Sequence, residues 1–168
     1  MRLFDKTEHL TQPFQKIVKI GAVCYTIAIC MMCFLPQSFY PSIKQIETPG
    51  IVHFGQIVTI LTPFNTLVHL GKIPSIQDLV VIVLQNVANI FLLLPLVFAI
   101  CLLKPSVRQF KKILLISFLM SLTIESTQAL LDLLFNFNRV FEVDDLITNT
   151  VGGVLAYLLY KVLRRIKG

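Results

Sequence analysis

The chain has 168 residues, which suits one domain. Apolar residues make up 55% of it and charged residues only 14%, with a mean hydropathy of +0.78, so the soluble globular class is excluded. The formal net charge of +6 would suit a nucleic-acid partner, but the placement of the basic residues gives it another origin.

Residues 1–16 read as a cytoplasmic lead. Leu3, Phe4, Leu10 and Phe14 are set among Arg2, Lys6 and Lys16, a pattern that suits either an anionic membrane face or a frayed polar tail, with Pro13 interrupting any helix. The first long apolar run, Ile17–Leu35, reads as a retained anchor, because the charged lead is long and the PQSFYP that follows offers no small-residue cleavage site. Cys30 and Cys33 form a C-x-x-C without a second ligand pair, and read as small buried hydrophobes.

Residues 36–78 form the longest connection. Within it, 51–63 are apolar but interrupted by His53, Gln56 and Pro63, which predicts an interfacial or re-entrant segment and not a fifth crossing. His53 and His69 have no partner at helical spacing and read as interface residues. The second run, Leu79–Leu103, carries Asn86 and Asn89 three residues apart on one face, as bundle-holding amides or as part of a site. Pro95 frees the carbonyl four residues earlier.

In the third run, Ile113–Leu134, Ser121, Glu125, Gln128 and Asp132 are spaced to stack on one face. At about 1.5 Å per residue Glu125 lies roughly 18 Å into the span. An ionised carboxylate there is costly, so it is expected to be protonated or hydrogen-bonded to Gln128, Asn86 or Asn89. The loop FNFNRVFEVDD then brings Arg139 beside Glu142, Asp144 and Asp145. Asp144 or Asp145 is expected to cap the last helix, and Arg139 either to grip a phosphate or carboxylate or to neutralise the acids. In the last run, Leu146–Val162, Asp145, Asn149 and Gly153 share one face, while Thr148, Gly152 and Ala156 form a small-residue stripe for close helix packing.

All the basic residues except Lys44, Lys72 and Arg139 cluster before or at the start of the first run, between the second and third, and at or after the end of the fourth. The positive-inside rule therefore places both termini in the cytoplasm and explains the charge without nucleic acid. The predicted fold is an all-α integral membrane protein, an antiparallel bundle of four transmembrane helices over 17–168.

The pattern Glu125-x-x-Gln128, then Arg139-x-x-Glu142-x-x-Asp145-Leu146-x-x-Asn149-Thr150-x-Gly152-Gly153, resembles the signature of the VanZ-like family of bacterial membrane proteins. LTPFN at 61–65 is similar to that family's N-L-x-P-F segment. Asn89-x5-Pro95-Leu96 is similar to its N-x5-P-L-G segment, with Val97 where a glycine is usual. The likeness runs over roughly 61–160. It implies a multi-pass protein of the bacterial cell membrane and, through the family's name-giving member, low-level resistance to teicoplanin-type glycopeptides.

Beside a purely structural bundle whose polar residues only pack and cap, two functions stay open at this point. One is a cell-envelope protein that lowers susceptibility to glycopeptide or lipoglycopeptide antibiotics through an outward-facing polar site. The other is a membrane enzyme or binding protein acting on a lipid-linked headgroup. The candidate ligand-binding residues are Asn86, Asn89, Glu125, Gln128, Asp132, Arg139, Glu142, Asp144, Asp145 and Asn149. With no H-E-x-x-H, G-x-S-x-G or paired-histidine motif, no catalytic residue, metal or cofactor is assigned. Membrane lipids and a lipid-linked cell-wall precursor or the antibiotic itself are the expected partners.

Overall fold

A computed structural model describes residues 10–36 and 48–167. In chain order the elements are helix α1 (Gln12–Phe34), strands β1 (Val52–Phe54) and β2 (Ile57–Ile60), a single helical turn α2 (Asn65–Val68), helices α3 (Ile76–Leu103) and α4 (Phe110–Phe135), strand β3 (Val140–Glu142) and helix α5 (Val143–Lys167). The helices α1, α3, α4 and α5 are long and apolar enough to cross a membrane. Their outer faces are apolar too: Ile17, Ile20, Val23, Ile27 and Met31 form an exposed stripe along α1 of the kind that faces lipid. The protein is a multi-pass, four-helix membrane protein of the predicted class.

The helix ends follow from local chemistry. Pro13 opens α1 within its first turn, where the N–H it lacks has no helical partner to lose. Residues 12–16 of the expected lead thus belong to α1, and its first nine residues lie outside those described. Ser75 caps α3 by accepting from the Asp78 N–H at 3.1 Å, and Asp78 accepts from the Ser75 hydroxyl at 2.7 Å. Helix α3 runs on through Pro95. The carbonyl that the proline leaves without a donor is that of Phe91, and the Tyr25 hydroxyl of α1 reaches it at 3.3 Å and its neighbour Leu92 at 3.1 Å.

Consecutive long helices run in opposite directions, so α3 and α5 run the same way, and these two pack most closely. Gly152 of α5 sits against the backbone carbonyl of Ile90, and Gly153 against Ser117 of α4, so each glycine admits a different neighbour. Ala156 is fully buried in the same line. The apolar core is Leu93, Val97 and Cys101 of α3, Ile113 and Ile124 of α4, and Ala156 and Tyr160 of α5, closed on one side by Ile29 and Cys33 of α1.

The segment expected as interfacial or re-entrant is a β-hairpin. Strands β1 and β2 pair antiparallel around Gly55, which has φ +64, and β2 pairs in parallel with β3, matching Ile60 with Glu142. This three-stranded sheet, absent from the all-helical prediction, connects the segment before α3 to the one before α5. Its third strand leads straight into the first turn of α5, which fixes where the acids of that turn point.

Candidate functional site

Each long helix brings polar groups to the end of the bundle under the sheet. Asn136, in the left-handed region at φ 55, ends α4 with its N–H on the Asp132 carbonyl at 2.8 Å. The chain turns back, and the Arg139 N–H reaches the Asp132 carboxylate at 3.0 Å. Asp132 is 1% exposed, so it ties the turn to the end of α4.

The stretch 142–145 is the hub. The Glu142 N–H donates to the buried Glu125 carboxylate at 3.1 Å. Asp144 accepts the N–H groups of Phe64 at 2.5 Å and Asn65 at 2.8 Å. Asp145 accepts from the Asn89 amide at 2.5 Å, and its carbonyl takes the Ser121 hydroxyl at 3.2 Å. One turn deeper the Asn149 amide donates to Ser121 at 3.2 Å, leaving a buried Asn149 Oδ1 with no hydrogen-bond partner among the described residues. LTPFN, Asn89 and Glu125 therefore each meet a different residue of this one stretch.

Several sequence expectations change here. Neither Asp144 nor Asp145 caps α5: both lie inside its first turn, where their charge suits the helix dipole, and their carboxylates reach other segments. Glu125 is bonded to a backbone N–H and to none of Gln128, Asn86 or Asn89. Gln128 instead donates to the Cys33 carbonyl of α1 at 3.0 Å. Asn86, half-buried in α3, is not among the residues that meet the 142–145 stretch. The Arg139 side chain binds the Met32 carbonyl at 3.0 Å and that of Leu35 at 2.7 Å. It serves the carbonyl end of α1, a natural place for a cation, and Asp145 is met by Asn89.

Ser121 joins Asp145 to Asn149, and only its place in the polar stripe hints at that in the sequence. Asn65, 3% exposed, is a structural tie marked in the sequence only by its place at the end of LTPFN: it binds the Pro49 carbonyl at 2.7 Å and His69 Nδ1 at 2.8 Å. Among the described residues no three acids, histidines or cysteines are grouped to hold a metal ion.

Burial raises the Glu142 pKa from 4.5 to about 8, and the neighbouring Asp145 and Asp144 add to the shift. A raised carboxylate favours the folded state fully below its unfolded value near 4.5 and loses that contribution as pH rises through about 8. The purified protein is expected to lose thermal stability over that window, and Glu142→Gln to flatten the slope. A slope unchanged in the variant would assign it to other groups.

The fold and this polar end together define a class: a multi-pass helical membrane protein with an acid-rich core closing one end of its bundle. Residues 22–164 match the model of the VanZ/LLP1 family, and the chain belongs to that family. No curated protein matches the chain, and no solved structure does.

Proposed function

We propose that this is a cell-envelope protein that lowers susceptibility to glycopeptide antibiotics, with Glu125, Glu142, Asp145, Asn89 and Asn149 as its working group. The supporting observation is the surplus of acceptors. Glu125 and Asp145 each receive one N–H donor, burial and the neighbouring acids raise the Glu142 pKa, and Asn149 Oδ1 is buried without a partner among the described residues. A network that served packing alone would gain from amides, since buried charge costs more than it returns unless fully paired. A surplus of acceptors suits a ligand rich in donors, such as the hydroxyl and ammonium groups of a lipid-linked headgroup. A phosphate gripped by Arg139 lacks support, because that guanidinium serves α1.

Asp145→Asn tests the reading. The variant keeps an acceptor for Asn89 and removes one charge from a crowded group, so it is expected to assemble normally. Expressed in a teicoplanin-susceptible bacterium, it should leave the inhibitory concentration at the empty-vector value while the parent chain raises it. Equal protection by both would overturn the assignment.

A second reading, an enzyme acting on the same headgroup, draws on Glu142, whose raised pKa suits a proton donor of the kind that acid catalysis needs. A headgroup-modified lipid that appears with the parent chain and not with Glu142→Gln would favour it. Both readings put the acid end outside and both termini in the cytoplasm of a bacterial cell membrane. Single cysteines at positions 107 and 140 of a cysteine-free chain check this: the second should react with an impermeant thiol reagent in whole cells, and the first should not.

A further inference from the structure

The opposite end of the bundle carries a second concave site that the proposed function does not use. A cleft of about 350 Å³ lies between the α3–α4 connection and the last turns of α5, lined by Arg108, Tyr157, Tyr160, Lys161, Arg164 and Arg165. The positive-inside rule accounts for basic residues at this end but not for how they are held. Arg108 is fixed from both sides: its Nε donates to the Cys101 carbonyl at 2.7 Å and Nη2 to that of Leu102 at 3.1 Å, while its guanidinium lies 4.9 Å over the Tyr160 ring. Lys161 stands 5.7 Å over the Tyr157 ring. Tyr160 is 2% exposed, and its buried hydroxyl, which Arg108 approaches as a donor, finds no acceptor for its own proton among the described residues. Such a donor normally finds an acceptor.

We propose that this cleft binds the phosphate of an anionic phospholipid headgroup. Fixed cations and a hydroxyl proton without an acceptor match a phosphodiester, which offers charge and acceptors but no donor of its own. A lipid is favoured over other phosphates because Leu158, Leu159, Val162 and Ile166 are exposed on α5 beside the cleft, an apolar surface for acyl chains. Among the described residues the lining of the cleft includes no carboxylate that would repel the ligand.

The test uses the full chain, purified in a neutral detergent and titrated with phosphatidylglycerol or phosphatidylcholine, with bound lipid read by native mass spectrometry. Phosphatidylglycerol should be retained and phosphatidylcholine should not. Lys161→Gln with Arg165→Gln should weaken retention about 30-fold, since each basic residue near anionic lipid contributes about fivefold. Tyr160→Phe, which alters no charge and keeps the ring under Arg108, should weaken it about fivefold, and it decides the matter if the double variant does not assemble. Lys16→Gln with Lys19→Gln removes the same charge from α1 and should leave retention within about twofold of the parent. Equal loss in that control pair would mean diffuse attraction, and equal retention of both lipids would mean that headgroup charge does not select; either result overturns the proposal. Displacement by inorganic phosphate would assign the cleft to the free ion and overturn the lipid reading.

Discussion

Gly152→Ala is expected to prevent normal assembly of the bundle. The added Cβ would fall on the backbone carbonyl of Ile90, and a backbone atom inside a continuous helix has no rotamer to turn away. Relief requires α3 and α5 to separate along their closest contact. Overpacking a tight interior costs about 1–3 kcal/mol, and a backbone collision belongs at or above the top of that range. The damage reaches the polar end, because Ile90 adjoins Asn89, whose amide holds Asp145. Gly153→Ala makes a useful comparison. Its Cβ would meet the Ser117 side chain, so Ser117→Gly in the same chain should restore assembly, whereas no side-chain change should rescue Gly152→Ala. Monodisperse yield in mild detergent and resistance to denaturation by SDS would measure both. Wild-type resistance in Gly152→Ala would show that the helices are less closely docked than the structure has them.

The contrast between those two glycines is only partly legible in the sequence. The spacing of Thr148, Gly152 and Ala156 marks a close-packing stripe, but which helix lies against it depends on the arrangement of the bundle. The four spans are legible because an apolar run of sufficient length has few alternatives, and the polar faces of α4 and α5 because helical spacing stacks them. The sheet is not. Hydropathy dominates the stretch 51–63, although its β-branched residues on both sides of Gly55 carry the strand signal, and its pairing with β3 bridges about eighty residues. Nearness in sequence groups Arg139 with the acids. In space the arginine is drawn to the exposed carbonyls ending α1, which no local pattern announces.

Asp144→Ala should cost far more than Asp145→Asn, although the two residues are adjacent. The Asp144 carboxylate, 7% exposed, accepts two backbone N–H groups from the start of α2 and so holds the segment that follows the hairpin onto α5. Phe64 stands there at φ 53, a left-handed conformation that a phenylalanine rarely adopts, and the paired hydrogen bonds keep it so. Alanine removes both acceptors and leaves two donors without partners. Hydrogen bonds to a charged group contribute about 1.5–3 kcal/mol each, so the loss should be on the order of 3–5 kcal/mol. Asp144→Asn would keep one carbonyl oxygen but turn an amide donor toward the other N–H, and should fall between. The consequence is local before it is global: hydrogen exchange at Phe64 and Asn65 should speed up strongly in Asp144→Ala, ahead of any change in α4. Slow exchange there would mean that the sheet alone holds this segment, and would leave Asp144 free to belong with Asp145 in the working group.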